Sequence, residues 1–412
     1  MSSEAVVDPG VQSKMDLVES QNTSCNPPPP TSQAAEQSAY DPAVADWLTL
    51  TLLPGCGPGT IRKLVDHFGS PGAALAATRR QWSDLSGLGS KQLAAWNCID
   101  ECSKTARLLA NRTISMGGQL LSIDDAAFPE LLREIPDPPA VLYCLGDIGL
   151  LTSSSVAMVG SRSATSYGRR VARSLAEGLS REGLTVVSGM ALGIDSESHI
   201  GALQGRGGTI GVLGCGIDVV YPRQNSSLYH EVKTKGLLIS EYPPGTRPEG
   251  FRFPARNRII AGLSKGVVVV EAARKSGSLI TAQLGLDFGR EIFAVPGQVD
   301  SYKSEGAHWL LQQGAQLVMS AADIVAGTSA YYNTCGVGTF DNQPDNNIEQ
   351  LAPGLEPDAI ELLKQLEPYP VSREEVSEKL HLSPARLSEL FLYLELEGVV
   401  EMGPGDMVRR TV

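Results

Sequence analysis

The sequence predicts an α/β protein whose centre is a doubly wound, mostly parallel β-sheet. Short apolar runs rich in β-branched residues recur from residue 151 to residue 326, and such runs are typical of strands buried on both faces of a parallel sheet. Segments with helical periodicity lie between them, as the spacing of Val171, Leu175 and Leu179 indicates. Repeated strand–helix units of this kind predict a Rossmann-like domain. The predicted strands are residues 156–159, 184–187, 209–213, 237–240, 267–270, 292–295 and 316–318.

Shifts in composition divide the chain into five predicted segments. The first forty residues are polar and contain four consecutive prolines, which predicts a disordered tail. The C-terminal part has three predicted helices, at residues 362–363, 371–375 and 383–388, followed by a strand–turn–strand pattern at residues 399–408. This order resembles a winged helix. The predicted segments are a tail (1–40), a helical domain (41–115), a connector with the Rossmann-like domain (116–326), a linker (327–355) and a winged-helix-like domain (356–412).

Two glycine-containing turns in the helical domain, residues 53–57 and 85–89, each precede a helical pattern. They resemble a helix-hairpin-helix or SAM-like module, in which glycines permit a tight turn and amides at a helix start can meet a phosphate. Turns that only pack two helices together often contain glycine as well. Phosphate contact and packing both remain open for this domain.

Composition argues against several classes of protein. No apolar run reaches the ~20 residues of a membrane helix, and the acidic first twenty residues lack the apolar core of a secretory signal. The seven cysteines are scattered without the spacing of a zinc site. We therefore expect a cytoplasmic protein with free thiols, no membrane contact, no metal and no cofactor.

Charge is distributed unevenly along the chain. The net charge is −12, yet residues 155–310 hold 18 Lys/Arg and 13 Asp/Glu, a net of +5. Residues 355–412 hold 12 acidic and 6 basic residues. This asymmetry places any polyanion site in the middle of the chain. It also predicts that the acidic C-terminal domain serves protein contact or packing, because it would repel phosphate.

The loops after the predicted strands carry candidate anion-binding residues, since ligands of doubly wound sheets bind at the carboxyl ends of strands. Glycine and serine leave backbone amides accessible near a helix start, and Arg162 adds a planar donor fork that suits phosphate. The alternative is an ordinary strand–helix turn with a surface arginine. No G-x-G-x-x-G dinucleotide pattern is present. The candidates are Gly160, Ser161 and Arg162, then Gly189 and Gly193, then Ser276, Gly277 and Ser278.

A basic helix and three aromatic residues complete the candidate site. Arg256 and Arg258 flank Asn257, and their i, i+2 spacing makes them diverge on a helix, so only one is expected to reach a given phosphate. Several anion-friendly loops on one sheet edge favour a chain of phosphates over one small ligand. Aromatic rings nearby would offer stacking faces to unpaired bases, although packing is the alternative role. These rings are Tyr221, Tyr242 and Phe253.

No catalytic residue is predicted. Ser188, Asp195 and His199 suggest a hydrolytic triad by residue type, but Ser188 lacks the G-x-S-x-G elbow. Asp195 and His199 would also lie on one helix, which does not give triad geometry. We therefore interpret the protein as a non-enzyme.

The ordered motifs closely resemble the DprA family, also called Smf, over residues 120–320. The matching motifs are V-G-S-R (159–162), S-G-x-A-x-G-I-D (188–195) with His199, G-G-T (207–209), G-C-G-x-D (214–218), Y-P (221–222), S-E-Y (240–242), R-N-R (256–258), S-G-S-L-I-T-A (276–282) and P-G (296–297).

The resemblance implies a homodimer, joined through the Rossmann-like domains, that binds and protects incoming single-stranded DNA and helps to load RecA recombinase during natural transformation. It implies that Arg162 and the loop 189–193 face the DNA, with Arg256 and Arg258 lining the same pocket. Leu192 departs from the family pattern, because the family commonly has Arg or Lys there. The loss of one phosphate contact should reduce the slope of log binding affinity against log salt concentration by about 0.7.

Two other functions remain as alternatives. A Rossmann-like domain is distantly similar to phosphoribohydrolases that cleave nucleotide N-glycosidic bonds, but their P-G-G-x-G-T motif is missing at residues 276–282. The second alternative is a protein-interaction scaffold in which the anion-friendly loops are purely structural. Base release from nucleoside monophosphates would identify the first, and DNA binding that is insensitive to loss of Arg162 would favour the second.

Overall fold

The computed structural model describes residues 41–328 and, in the C-terminal part, residues 356–366, 371–373, 376, 380, 384–396, 399–403 and 407–410. The chain divides after residue 333 into two compact units. The predicted tail and almost all of the predicted linker lie outside the described residues.

Short helices occupy the first part of unit one. They are α1 (Pro42–Leu52), α2 (Pro58–Phe68), α3 (Pro71–Ala76), α4 (Arg79–Asp84), α5 (Ser90–Ala95) and α6 (Ile99–Ser115). Asp41 caps α1 through its side chain, and Thr78 forms a capping box with Gln81 at α4. Both glycine turns precede helices as predicted, and Gly55 and Gly87 adopt the positive φ that a side chain would resist.

Unit one continues with a nine-stranded sheet. All seven predicted strands are present, each within one residue of its predicted bounds. The connector adds two strands that the sequence patterns did not predict, and both pair antiparallel at one end of the sheet. The strands are β1 (Gln119–Ser122), β2 (Val141–Gly146), β3 (Ser155–Val159), β4 (Thr185–Ser188), β5 (Thr209–Leu213), β6 (Leu237–Ser240), β7 (Gly266–Val269), β8 (Glu291–Ala294) and β9 (Gln316–Leu317).

The strand order makes the sheet doubly wound. The order is β1-β2-β6-β5-β4-β3-β7-β8-β9. Within it, every neighbouring pair between β6 and β9 is parallel. From β3 the chain proceeds outward to β6, then returns to place β7 on the other side of β3. The carboxyl ends of β3 and β7 therefore form the topological switch point.

Helices cover both faces of this sheet. Their bounds are α7 (Glu130–Arg133), α8 (Ser166–Arg181), α9 (Ile194–Ala202), α10 (Ser226–Lys235), α11 (Arg252–Leu263), α12 (Gly277–Asp287), α13 (Glu305–Gln312) and α14 (Ala321–Thr328). Alternate residues of β3 enter different cores. Val156 and Met158 pack with α8, whereas Ala157 and Val159 pack with α11. Two buried faces explain why the strands are continuously apolar.

Unit two contains a small helical core and a three-stranded sheet. Its described elements are α15 (Pro357–Gln365), β10 (Val371–Ser372), α16 (Pro384–Leu396), β11 (Val400–Gly403) and β12 (Met407–Arg410). The sheet order is β10-β12-β11, with antiparallel pairs. The strand–turn–strand prediction corresponds to β11 and β12. Val371 and Ser372, which were predicted to begin a helix, instead form the short strand β10.

Candidate functional site

A cavity of about 100 Å³ opens where the loops after β3, β4 and β5 meet. The first residues of α11 form its remaining wall. Several sequence-predicted candidates converge here from segments far apart in the chain, as expected of a site at the carboxyl ends of parallel strands. The cavity, called here the rim pocket, is lined by Arg162, Gly189, Met190, Ala191, Leu192, Leu213, Gly214, Cys215, Tyr221, Pro222, Phe253 and Arg256.

An exposed cation and two stacked rings stand at the edge of the rim pocket. The Arg162 guanidinium lies 5.7 Å from the centre of the Phe253 ring, and the Phe253 and Tyr221 rings stack with centroids 5.4 Å apart. Tyr221 keeps 41% of its surface exposed. The arrangement places an exposed guanidinium, a group suited to phosphate, beside one accessible aromatic face.

The loop after β4 is fixed by side chains from α9. The Asp195 carboxylate accepts hydrogen bonds from the Gly189 and Ala191 N–H groups at 3.1 and 3.3 Å. His199 Nε2 accepts the Met190 N–H at 3.3 Å. These three backbone amides are therefore bound by side chains of the protein itself.

The protonation state of His199 follows from its partners. Its Nδ1 lies 2.7 Å from the Thr209 hydroxyl oxygen, and that hydroxyl donates its proton to the Val186 carbonyl. Nδ1 must then carry the hydrogen, which leaves Nε2 as an acceptor. Burial, with a smaller contribution from Arg256, lowers the pKa of His199 to about 3. His199 is neutral and structural.

Arg256 forms the floor of the rim pocket. It is 4% exposed, and its Nη1 donates to the carbonyl oxygens of Gly189 and Val212, which ties the ends of β4 and β5 together. A Cβ at position 189 would lie 2.6 Å from that nitrogen, so a side chain there would displace the Arg256 guanidinium from its carbonyl partners. Burial lowers the pKa of Arg256 to about 10 against the attraction of Asp195, and the guanidinium stays charged at neutral pH.

Arg256 and Arg258 diverge, as their spacing predicted. The Arg258 Nη2 pairs with the Glu241 carboxylate at 2.6 Å, and Arg258 does not line the rim pocket. Asn257 between them is half-buried and also lies outside the pocket lining. Of this basic motif, Arg256 alone lines the rim pocket, and its buried guanidinium donates to backbone carbonyls.

Other candidates lie elsewhere in unit one. Ser276 caps α12, and its hydroxyl pairs with that of Ser278 at 2.7 Å, so these residues are engaged with each other at the start of that helix beside Gly277. Tyr242 faces a mostly apolar groove of about 740 Å³ between the helical domain and the sheet. The Arg252 guanidinium lies 4.9 Å from the Tyr242 ring centre. The structure does not bring Tyr242 to the rim pocket.

The glycines of the first two loops sit against protein atoms. The Ser161 N–H donates to the Glu271 carbonyl at 2.7 Å, and a Cβ on Gly160 would lie 2.9 Å from the same carbonyl. Gly193 has φ +81°, and a Cβ there would lie 2.2 Å from the Ser161 carbonyl. These residues hold the two loops together at close range.

No activated nucleophile is found around the triad-like residues. The Ser188 hydroxyl donates to the Met158 carbonyl at 2.6 Å, while Asp195 and His199 bind backbone amides instead of each other. Within the described part of the chain, no cluster of three or more potential metal ligands occurs. No described helix is long and apolar enough to cross a membrane.

Family models match two parts of the chain. A model described as DNA recombination-mediator protein A matches residues 119–329, and one described as the DprA winged helix domain matches residues 348–406. The first covers the whole sheet and the rim pocket. The second includes the described elements of unit two.

Known relatives align over half of the sequence or more. Protein Smf of Synechocystis sp. is 33% identical over 392 residues, which cover 89% of this chain and 98% of that protein. DNA processing protein DprA of Streptococcus pneumoniae is 46% identical over 205 residues, 50% of this chain and 72% of that protein. The X-ray structure of Streptococcus pneumoniae DprA matches with a TM-score of 0.60 and 36% identity, covering 69% of this chain and 97% of that chain.

Proposed function

The chain belongs to the DprA/Smf family, and on this premise we propose that it binds single-stranded DNA at the rim pocket and acts as a recombination mediator. In this role it protects incoming DNA during transformation and helps to load a RecA-type recombinase onto it. The name of the matching family model supports the mediator role. The geometry of the rim pocket supports single-stranded DNA as the ligand.

The proposal of single-stranded DNA as the ligand rests on the small volume and open edge of the rim pocket. Its volume of about 100 Å³ is well below the roughly 300 Å³ at which pockets begin to enclose whole small ligands. The pocket can take one phosphate or part of one nucleotide, with the remainder of the molecule outside. A polymer that continues along the sheet edge satisfies this condition, and the exposed Tyr221 face requires an unpaired base.

A nucleotide-cleaving enzyme is the weaker candidate. Hydrolysis of an N-glycosidic bond needs a carboxylate or a similar group placed to act on the sugar or on water. The Asp195 carboxylate is buried and accepts hydrogen bonds from the Gly189 and Ala191 N–H groups. The residues at the position of the hydrolase motif, Ser276 to Ala282, begin α12 with two serines that bind each other.

We further propose that the protein forms a homodimer through the edge of the sheet beyond β8. The strand β9 is an edge strand, and unpaired edges favour pairing with another chain. Leu317 on β9 is 49% exposed, and the neighbouring Met319 is 80% exposed. Burial of these side chains in an isologous contact would remove apolar surface from water.

The function is tested by the salt dependence of DNA binding. Fluorescence anisotropy of a labelled single-stranded oligonucleotide is measured across a salt titration for the wild type, Arg162→Ala and Arg181→Ala. Arg181 is the matched control, since it is exposed on α8 at the end remote from the rim pocket and pairs with Glu177. We expect Arg162→Ala to weaken binding and to reduce the salt slope by about 0.7, and Arg181→Ala to do neither.

Duplex competitor should displace the oligonucleotide poorly. If Arg162→Ala and Arg181→Ala changed DNA affinity and the salt slope equally, the rim pocket would be rejected as the DNA site. Absence of binding by folded wild-type protein would reject the proposed function, and base release from nucleoside monophosphates would then be the next assay.

A further inference from the structure

The switch point between β3 and β7 contains a buried carboxylate. In doubly wound sheets this crevice is where ligands bind, and the phosphate of a nucleotide commonly meets the start of the helix that follows the first strand. Here that helix is α8, a sixteen-residue helix capped by Thr165. Glu271, two residues after β7, occupies the space in front of it and is 4% exposed.

The Glu271 carboxylate accepts hydrogen bonds from two donors at the start of α8. Both of its carboxylate oxygens lie 3.2 Å from the Thr165 backbone nitrogen, and Oε2 accepts the Thr165 hydroxyl at 2.5 Å. Its own backbone carbonyl accepts the Ser161 N–H at 2.7 Å. The negative charge at the start of α8 is favourable for the same reason that an anionic ligand there would be.

The surrounding sequence leaves room for this carboxylate and for little else. Gly168 lies in the first turn of α8, and a Cβ at this position would approach Glu271 Oε2 to 2.6 Å. Lys303 Nζ donates to the Ser163 carbonyl at 2.5 Å and so links the loop after β3 to the segment between β8 and α13. A second anion would have to displace Glu271 or share the site with its charge.

We infer that Glu271 is a specificity-determining residue that acts as an internal anion, fills the phosphate position of the Rossmann-like crevice and thereby excludes free phosphate and mononucleotides. The neighbouring rim pocket is then left as the place where an anion can bind from solvent. This inference depends on the position of Glu271 in the fold. Only the statement that DNA is the anion bound at the rim pocket rests on the proposed function.

The test is to open the crevice and to offer it inorganic phosphate. Thermal unfolding of the full chain is followed with increasing phosphate, against chloride at equal ionic strength, for the wild type, Glu271→Ala and Glu271→Gln. Asp125→Ala is the matched control, because Asp125 also accepts an N–H and a hydroxyl, both from Ser122, but away from α8. Direct binding of phosphate and of adenosine monophosphate is measured by titration calorimetry.

We expect Glu271→Ala to unfold at a lower temperature than the wild type and to regain about 3 °C or more in phosphate, since a ligand of the folded state raises its stability. Its phosphate affinity should exceed that of the wild type at least about tenfold. Glu271→Gln keeps the crevice filled, so it should lose stability without recovery in phosphate. Wild type and Asp125→Ala should respond to phosphate equally weakly.

Two outcomes with folded variants, and one with an unfolded variant, would overturn the inference. One is a folded Glu271→Ala protein that binds phosphate no better than the wild type. The other is equal recovery of Glu271→Ala and Glu271→Gln in phosphate, which would show that the space behind the carboxylate is not the binding position. If Glu271→Ala is unfolded in chloride, failure of phosphate to restore its folding also rejects the inference. No DNA enters these assays, so they are independent of the test of DNA binding.

Discussion

Replacement of Tyr221 should separate base stacking from phosphate binding at the rim pocket. The ring is 41% exposed and stacks on Phe253, so its outer face is available to a base while its inner face is supported. Loss of one stacking platform costs about 1–3 kcal/mol per base. At 1.4 kcal/mol for each tenfold change, Tyr221→Ala should weaken oligonucleotide binding about 5- to 150-fold.

Tyr221→Phe is the matched control for this prediction. It keeps the ring and its contact with Phe253 and removes only the hydroxyl, so its affinity should stay close to that of the wild type. The assay is anisotropy with the same oligonucleotide at several salt concentrations. Because no charge is removed, Tyr221→Ala should leave the salt slope unchanged, in contrast to Arg162→Ala.

Two results would refute the stacking role of Tyr221. Wild-type affinity in a folded Tyr221→Ala protein would mean that no base meets this ring. A reduced salt slope in Tyr221→Ala would mean that the substitution acts by displacing the neighbouring cation. Melting curves of all variants distinguish both results from general unfolding.

Four further predictions address the loops, the buried histidine and the second unit. Gly193→Ala should lower the free energy of unfolding by about 2–4 kcal/mol, because the new side chain meets a positive φ and collides with the Ser161 carbonyl. Urea unfolding measures this loss, and a loss under about 1 kcal/mol would contradict the prediction. Burial holds the pKa of His199 near 3 against 6.5 in the unfolded chain. The unfolded state therefore binds more protons between these values, and stability should fall by about 2 kcal/mol from pH 6.5 to pH 5, with a smaller fall in His199→Gln. Leu192→Lys adds a cation to the rim pocket and should raise the salt slope of DNA binding by about 0.7; an unchanged slope would place the strand elsewhere. A chain ending at residue 333 should keep its affinity for single-stranded DNA within about twofold, since the acidic second unit repels phosphate, and a large loss would assign DNA contact to that unit.

The parallel strands were predictable because each is buried on two faces and is therefore apolar throughout. Val156 to Val159 carry no polar residue for this reason. The antiparallel strands β1 and β2 were missed, since they lie outside the repeating strand–helix units and β1 begins with exposed Gln119. Patterns of adjacent residues do not reveal which distant strand completes the edge of a sheet.

The divergence of Arg256 and Arg258 was also predictable, because it depends on helical spacing alone. The position of Glu271 was not. It follows a predicted strand as an ordinary acidic residue, and its role arises only when the chain reversal brings β7 beside β3. The available signal was the combination of an acid at the end of an apolar strand with a helix start rich in small residues at positions 160–168.

Glycine in these loops also has a physical cause other than ligand contact. Gly160, Gly189 and Gly193 lie against Ile194, Arg256 and Ser161 respectively, and a Cβ added to any of the three would come within 2.6 Å of its neighbour. The amides of Ser161, Gly189 and Ala191 are bound by Glu271 and Asp195. Glycine in these loops brings protein groups together so closely that these amides are already bound within the protein. We propose that ligand recognition depends instead on side chains at the rim, namely the Arg162 guanidinium and the Tyr221 ring.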